Sequence, residues 1–438
     1  MSPGQSTVSQ SLHVPLSRNR NYRLLWISQV LSGLGLSATV LAFPLLVLAL
    51  TGSAAASGLV LGAITTTQLI AGLPAGALVD RWDRKTIMLS CEAIQMVSAA
   101  TLVAALWWWH TVPIPYLVAV GAMMGICGAL FRPAEDAYLP RVVPPDQLSA
   151  AIALNVARGS VAQLSGTTAG GFLFAVGRFV PFLADAVAHG LACVLLLFLR
   201  VPPREALPAP ARHLGREIVT GLRWVWGHRR IRVTALCAMV LNLFITAFFL
   251  IVIVLLQARG MSSGHIGIIA AMLGVGGLLG AVAASRLSQV LSPYASIIVA
   301  FWGLSVLTLA AAFVDSGWLL GALFAAMALL PPTANTAIVT RQLLLTPDEL
   351  RGRLSSVLAI ITGIAGAVGP VVGGLLASAL SGSHAVLVCA AGVAAVAVVA
   401  TLSPTLRSFP RQPVVAGPIT ETSSAPMTDQ HDGVRKGD

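Results

Sequence analysis

The sequence predicts an all-α membrane protein in which twelve membrane-spanning helices form two pseudo-symmetric six-helix bundles. Three observations lead to this fold class. Of the 438 residues, 56% are apolar and only 10% are charged, whereas about a quarter of a soluble globular protein is charged. Twelve apolar runs are each long enough to cross a hydrocarbon core of about 30 Å as a helix. The third observation is a repeat that relates the two halves of the chain.

The predicted spans are separated by short breaks that contain charged residues, proline or glycine. They cover residues 23–50, 55–79, 86–108, 113–131, 150–176, 179–199, 232–256, 264–285, 293–313, 316–338, 354–380 and 384–403. The chain then divides into an N-terminal tail (1–21), a first bundle (22–199), a linker (200–230), a second bundle (231–403) and a C-terminal tail (404–438). The polar composition of the C-terminal tail predicts disorder. The first 20 residues lack the apolar core of a signal peptide.

The distribution of basic residues predicts that both termini lie in the cytoplasm. If they do, 25 of the 27 lysines and arginines lie on the cytoplasmic side, and the exceptions are Arg178 and Arg259. This asymmetry is the one that the positive-inside rule requires. The net charge of +11 then comes from cytoplasmic basic residues that set the topology and contact anionic lipid. We therefore expect no nucleic-acid partner. Trp107-Trp108-Trp109 falls at the outer end of the third span, where an interfacial aromatic belt is expected and a substrate gate is the alternative.

The two halves repeat on either side of the linker. Pro145-Asp146-Gln147-Leu148 recurs 202 residues later as Pro347-Asp348-Glu349-Leu350, and each copy leads into a helix that carries a glycine pair. Two repeated six-span halves are typical of transporters that rock about a central site. The second part of the linker, from Arg216 to Trp226, has the pattern of an amphipathic helix on the inner leaflet.

The densest charge in the chain lies between the second and third spans, in Gly76-Ala77-Leu78-Val79-Asp80-Arg81-Trp82-Asp83-Arg84-Lys85. This stretch resembles the loop between helices 2 and 3 of the major facilitator superfamily, with Asp83 where the pattern has a second glycine. Arg20–Trp26, Phe131–Ala134 and Glu349–Arg353 resemble the bacterial branch that exports drugs, siderophores and macrolides. The resemblance covers residues 18–403 and implies a multi-pass transporter of the bacterial cytoplasmic membrane.

The resemblance implies that this loop is a conformational latch. In the family, the aspartate docks on a helix of the opposite half, near the eleventh span, and holds the cytoplasmic side shut. In this chain the N-terminal end of the eleventh helix follows Arg353. Free N–H groups and a positive dipole at a helix N-terminus suit a carboxylate. The latch residues are Gly76, Asp80, Arg81, Arg84, Lys85 and Arg353. Glu135 and Asp136 are further candidate partners for Arg81 or Arg84.

Two carboxylates lie inside predicted spans, Glu92 and Asp185, and His189 follows Asp185 at i+4. An ionisable group within a membrane helix is a functional candidate by default, and residues four apart on a helix meet. We therefore take all three as candidates for proton coupling. The alternative is that Asp185, two turns from the outer surface, is satisfied by water or backbone. At the position after Gly35, where many members of the family carry an acidic residue, this chain has Leu36. This departure disfavours proton antiport.

The resemblance implies that helices 1, 4, 7 and 10 line a substrate cavity. Its candidate residues are Gln29, Ser32, Met123, Met124, Asn242, Phe248 and Asn335, each of which simple packing also explains. With no arginine or lysine expected in the middle of the cavity, this set suits a bulky, largely apolar compound. The glycine-rich run from Gly363 to Gly374 resembles an antiporter motif but lies in the eleventh span, so close helix packing explains it better.

The leading functional prediction is a secondary exporter of hydrophobic drugs or natural products, driven by the proton gradient through alternating access. An importer or a lipid or metabolite transporter of the same fold is the alternative. The short loops leave no signalling domain, which disfavours a sensor. The sequence has no GxxxxGK[ST] loop and no catalytic constellation, and its five cysteines are scattered. We therefore expect a monomer that binds membrane lipid and is not an enzyme, without cofactor or metal.

Overall fold

The structure is a computed structural model that describes residues 15–109, 112–200 and 214–407. These residues form helices and no strand. The α-helices are α1 (Arg20–Thr51), α2 (Ala54–Arg81), α3 (Arg84–Trp108), α4 (Ile114–Val142), α5 (Leu148–Val176), α6 (Val180–Leu197), α7 (Leu214–Gly227), α8 (Arg229–Ala258), α9 (Ser263–Val290), α10 (Pro293–Ala311), α11 (Gly317–Leu329), α12 (Pro331–Leu344), α13 (Asp348–Ala379), α14 (Gly382–Leu402) and α15 (Pro404–Arg407). Most of both predicted tails and the first part of the predicted linker lie outside the described residues.

The predicted fold class is confirmed. Within the described ranges, 11 helical units are long and apolar enough to cross a membrane, with α11 and α12 counted as one unit, Gly317–Leu344. Helix α5 is the twelfth long unit. It has 29 residues but includes polar side chains such as Asn155, Arg158 and Gln163. Helices α1–α6 form the N-terminal half and α8–α14 the C-terminal half.

Helix α4 is longer than the sequence predicts. The predicted span ends at residue 131, where Arg132 and Pro133 follow, but the helix continues to Val142 with Pro133 and Pro140 inside it. Three charged side chains in this extension, Arg132, Glu135 and Asp136, line a cavity in the N-terminal half, so they do not have to end the helix.

Local capping explains how several helices begin. Asn19 accepts a hydrogen bond from Tyr22 N at 3.1 Å at the start of α1, and Asp83 accepts one from Thr86 N at 2.9 Å at the start of α3. Such caps satisfy N–H groups that the helix itself leaves unpaired. Asp83, which departs from the superfamily pattern, is therefore the N-cap of α3.

The two halves meet at one end of the molecule, which we call the far end. The other end, which carries the loop Asp80–Lys85, is the basic end. At the far end Ala55 N of α2 donates to Ser378 Oγ of α13 at 3.0 Å. On the other side, α5 and α9 meet so closely at Gly171 and Gly267 that a Cβ on Gly171 would lie 2.7 Å from Gly267 Cα.

Toward the basic end the halves separate. The close contacts between α2 and α13 continue as far as Leu69, which packs on Gly363. Beyond that point the backbones at Gly72, Gly76 and Gly352 face open space. The structure is therefore closed at the far end and open at the basic end.

The charges and aromatic residues differ between the two ends. Among the described residues, the lysines and arginines lie at or toward the basic end, apart from Arg178 and Arg259. Trp107, Trp108 and Trp109 are exposed at the far end, as an interfacial aromatic belt requires. Neither cavity described below is lined by these tryptophans.

Helix α7 packs on the C-terminal half. Gly221 lies against Arg353 and Val357 of α13, and Trp224 Nε1 donates to Thr346 Oγ1 at 3.3 Å. Val225 is fully buried in the same contact, whereas Val219, Leu222 and Trp226 are exposed. The helix thus has one face on the protein and an apolar stripe facing outward, as the amphipathic pattern predicts.

Candidate functional site

The N-terminal half contains a cavity of about 580 Å³. Helices α1–α6 all contribute to its wall. Its polar and charged lining residues include Gln29, Ser32, Glu92, Gln95, Arg132, Glu135, Asp136, Arg158 and His189. Water or a polar group can be accommodated here, which distinguishes this cavity from an ordinary helix-packing defect.

Three ionisable side chains form a buried cluster beside this cavity. Glu92 Oε2 lies 2.6 Å from His189 Nδ1, and His189 Nε2 lies 3.3 Å from Asp185 Oδ1. Glu92, His189 and Asp185 are 0%, 1% and 2% exposed. The second contact lacks hydrogen-bond geometry, and it is an ion pair when His189 is protonated. We call these three residues the acid–histidine cluster.

Helix packing holds the cluster in place. Glu92 is eight residues into α3, about 12 Å along the helix axis, and His189 and Asp185 lie one turn apart on α6. Gly35 of α1 lies directly against Asp185, so a side chain at that position would collide with the carboxylate. The carboxylate of Asp185 on α6 therefore packs against the backbone of α1 at Gly35.

A second ion pair spans the cavity wall between α4 and α5. Arg158 Nη2 lies 2.9 Å from Glu135 Oε1, with side chains 12% and 8% exposed. Glu135 thus pairs with Arg158, and not with Arg81 or Arg84 as considered from the sequence. Asp136 is exposed and lines the same cavity. Arg158 also lines the N-terminal cavity, a position that the sequence analysis did not assign to it.

The C-terminal half contains a cavity of about 540 Å³ with a different character. Aromatic and aliphatic side chains form most of its wall, including Phe248, Phe249, Phe301, Phe324 and Met327. Phe248 and Phe324 meet edge to face with ring centroids 5.5 Å apart. Asn242, Asn335 and Thr362 are the polar side chains among its lining residues, and none of those residues is charged.

A helix break lies in the wall of this apolar cavity. The tenth span is interrupted between Leu329 and Pro331, and Pro331 and Pro332 have no N–H to donate. The carbonyl groups of Met327 and Ala328, four residues earlier, therefore lack the donors that a continuous helix would provide. Both residues lie on the cavity wall.

The charged loop at the basic end is fastened within the N-terminal half. Arg84 Nη1 donates to the carbonyl oxygen of Ala137 in α4 at 2.6 Å. Lys85 Nζ donates to Leu197 O at 3.0 Å and Leu199 O at 2.8 Å at the end of α6. These bonds satisfy carbonyl groups near the ends of two helices.

Asp80 has a looser environment than its basic neighbours. It is exposed, and among the described residues it forms an ion pair with Arg84 at a distance of 3.9 Å. Arg81 is also exposed and Arg353 is half-buried; within the described part of the chain neither contacts Asp80. In this open arrangement Asp80 and Arg84 are paired, but Asp80 and Arg353 of the predicted latch are not brought together.

Comparison with known proteins identifies the family. The family model for the Major Facilitator Superfamily matches residues 25–341 and 234–427. The chain belongs to the Major Facilitator Superfamily. Membership of this family makes the chain a multi-pass membrane transporter. The family resemblance stated from the sequence motifs is confirmed.

Two full-length relatives in this superfamily illustrate the similarity. The Multidrug efflux pump Tap of Mycolicibacterium fortuitum is 28% identical over 408 residues, which cover 88% of this chain and 96% of that protein. Multidrug resistance protein MdtG of Salmonella paratyphi C is 28% identical over 408 residues, which cover 87% and 94%.

Solved structures of superfamily members share the fold. The nucleoside transporter NupG matches with a TM-score of 0.74 at 12% identity, over 90% of this chain and 100% of that one. A bacterial homologue of the human lysosomal transporter Spinster, inward-facing and unoccupied, matches with a TM-score of 0.68 at 16% identity, over 90% and 98%. These similarities show the fold.

The predicted cavity residues are distributed between the two halves. Gln29 and Ser32 line the N-terminal cavity, and Asn242, Phe248 and Asn335 line the C-terminal cavity. Met123 and Met124 line neither. Met124 is buried in the hydrophobic core and Met123 is 38% exposed, because Gly121 and Gly125 of α4 pack on α2 and turn the intervening residues away.

Several lining residues escaped the sequence analysis. Arg158 and Gln95, which follows Glu92 by three residues on α3, were not named from the sequence, and Glu135 was named only as a partner for Arg81 or Arg84. A signal was present for Arg158 and Gln95, since polar side chains inside apolar helices rarely face lipid. Phe301 and Phe324 carried no such signal, because an apolar residue in an apolar span predicts no particular direction.

Proposed function

We propose that this chain exports bulky, largely apolar compounds from the bacterial cytoplasm in exchange for protons. The relatives named for multidrug efflux support this, because the similarity extends over nearly their whole length. The observation that carries the proposal is the buried acid–histidine cluster beside one cavity and an uncharged aromatic cavity in the other half. One half offers a site for a proton, and the other offers a site for an apolar molecule.

The charges of the cluster favour proton binding. With both carboxylates ionised and His189 protonated, the cluster would carry a net charge of −1 among buried side chains. Burying an unbalanced charge is costly, and one added proton makes the cluster neutral. Histidine and carboxyl groups are also the side chains that commonly relay protons in membrane transporters.

The positive-inside rule supports a cytoplasmic location for the basic end and for both termini. The structure would then be inward-open, with the N-terminal cavity that Glu92 lines open to the cytoplasm. Proton release to the cytoplasm and substrate binding would both take place in this state. Closing the basic end would bring the loop at Asp80 toward the start of α13 and form the latch, while Arg84 and Lys85 stay fastened to their own half.

Accumulation of a lipophilic fluorescent cation in a pump-deficient bacterium tests the proposal. Cells that express this chain are expected to accumulate less dye than cells with an empty vector. An uncoupler should remove the difference, and Asp80→Asn should remove it while the amount of protein in the membrane stays the same.

The same assay separates the alternatives. Greater accumulation in expressing cells would favour an importer and contradict export. Lower accumulation that survives the uncoupler would contradict proton coupling. If this dye shows no difference, a panel of neutral and anionic lipophilic compounds follows, and export of none of them would overturn the proposal.

A further inference from the structure

Ser32 of α1 faces two hydrogen-bond acceptors at once. Its hydroxyl oxygen lies 2.7 Å from Glu92 Oε1 and 3.1 Å from the backbone carbonyl oxygen of Ser28. A serine hydroxyl has one hydrogen to donate. When Glu92 is ionised, its carboxylate is an acceptor only, so Ser32 can donate to Glu92 or to Ser28 O but not to both.

A proton on Glu92 resolves this competition. The Oε1–H group of a protonated Glu92 donates to Ser32 Oγ, and Ser32 then turns its own hydrogen to Ser28 O. When the proton leaves, Ser32 turns back and donates to the carboxylate. Glu92 Oε1 has a hydrogen-bond partner in either state, and the heavy atoms keep their positions.

We propose that Ser32 is the positioning residue that allows Glu92 to bind and release a proton while remaining hydrogen-bonded. This rests on the proposed function, in which Glu92 belongs to the proton site, and it identifies how that site tolerates both charge states. It also reassigns Ser32, which the sequence suggested as a substrate contact, to the proton site.

Among the described neighbours of Glu92, Ser32 is the residue in position to take this role. Ser32 is the partner from α1, and His189 of α6 holds the other carboxylate oxygen. The remaining titratable groups nearby are Asp185 and Cys193 of α6, Cys91 on the same helix and Cys127 of α4. Among these described neighbours, only Ser32 bonds Glu92 Oε1. Ser32, Glu92 and His189 also line the cavity, through which a proton can arrive or leave.

Infrared titration of the purified protein in proteoliposomes tests the inference without any substrate. The carboxylic acid C=O band of Glu92 is assigned by its loss in Glu92→Gln, and its intensity is followed against pH. A hydrogen bond to a charged group is about twice as strong as one between neutral groups. Ser32→Ala therefore stabilises the protonated form relative to the ionised form, and the midpoint should move upward by about one pH unit.

Two further variants separate this role from packing. Ser32→Thr retains the hydroxyl and should return the midpoint to within a few tenths of a unit of the wild-type value. Ser28→Ala is the matched control, because Ser28 is also buried one turn earlier and its hydroxyl donates to Leu25 O of its own helix at 2.7 Å. It should leave the midpoint unchanged.

The outcomes are distinguishable from failure of the proposed function. An unchanged midpoint in Ser32→Ala, or the same shift in Ser28→Ala, would overturn the role of Ser32 and leave proton coupling through Glu92 in place. If no titrating band is lost in Glu92→Gln, Glu92 does not bind the proton. That result would overturn both this inference and the coupling part of the proposed function.

Discussion

The two halves share one helical plan but differ in what they bury. The N-terminal half surrounds its cavity with an ion pair and the acid–histidine cluster. The C-terminal half surrounds a cavity of similar volume with phenylalanine rings, methionine and aliphatic side chains, and no lining residue there is charged. Charge inside a membrane protein is costly and needs a reason, whereas apolar lining needs none beyond packing.

This difference indicates a division of tasks between the halves. We infer that the N-terminal half holds the proton and the C-terminal half binds the apolar part of the substrate. Coupling then requires relative motion of the halves, and the small-residue contacts at the far end are where they pivot. Variants in one half should therefore change coupling, and variants in the other half should change substrate preference.

The largest effect is expected for Glu92→Gln. The amide keeps the shape of the side chain but cannot exchange a proton, so uphill export should fall to background while substrate binding remains. Transport driven by an imposed pH gradient in proteoliposomes measures this. Asp136→Asn, on the same cavity but exposed, should retain gradient-driven transport, and full activity of Glu92→Gln would remove the division of tasks.

Asp80→Asn should have the next largest effect. A charge-assisted hydrogen bond contributes about 1.5–3 kcal/mol, so its loss from the closed latch should slow transport by about 10- to 100-fold. Initial rates at matched protein levels provide the test. Asp83→Asn is the matched control because asparagine also caps helices; equal losses in both variants would argue against a latch at Asp80.

The C-terminal cavity predicts a smaller and more selective effect. Phe324→Leu removes the edge-to-face contact with Phe248 and part of the aromatic wall. The KM for bulky aromatic compounds should rise by about tenfold, while the pH dependence of transport stays as in the wild type. Phe313→Leu, in an exposed position, is the control. A change in proton coupling in Phe324→Leu would contradict the separation.

Much of the fold could be predicted from the sequence, because apolar runs of sufficient length define membrane spans without knowledge of the packing. Helix α4 was the exception, since charged residues that line a cavity resemble the end of a span. The i+4 spacing of Asp185 and His189 correctly predicted that their side chains lie close together. The contact of His189 with Glu92 could not be derived, because a separation of 97 positions along the chain carries no information about which helices become neighbours.

The candidate cavity residues show the same limit. The polar residues Gln29, Asn242 and Asn335 line cavities, since a polar group in a span seeks an interior environment. Met123 was a poor choice because the direction of an apolar side chain depends on which face of α4 packs on α2, and Gly121 and Gly125 decide that.

The smallest effect is expected outside both cavities, at Lys85. Lys85→Met removes two hydrogen bonds to carbonyl groups near the end of α6 and should lower the apparent melting temperature by about 2–6 °C. Transport at room temperature should be retained, and Lys85→Arg should recover most of the loss. A severe transport defect without a change in melting temperature would mean that Lys85 belongs to the moving latch.

Proton release on substrate binding tests the division of tasks most directly. Purified protein in weakly buffered detergent solution is mixed with a lipophilic cation, and both the protons released and the ligand bound are counted. We predict that the wild type releases protons as it binds, that Glu92→Gln binds the cation with similar affinity and releases none, and that Phe324→Leu binds more weakly but releases the same number per ligand. Proton release by Glu92→Gln equal to that of the wild type would contradict the account.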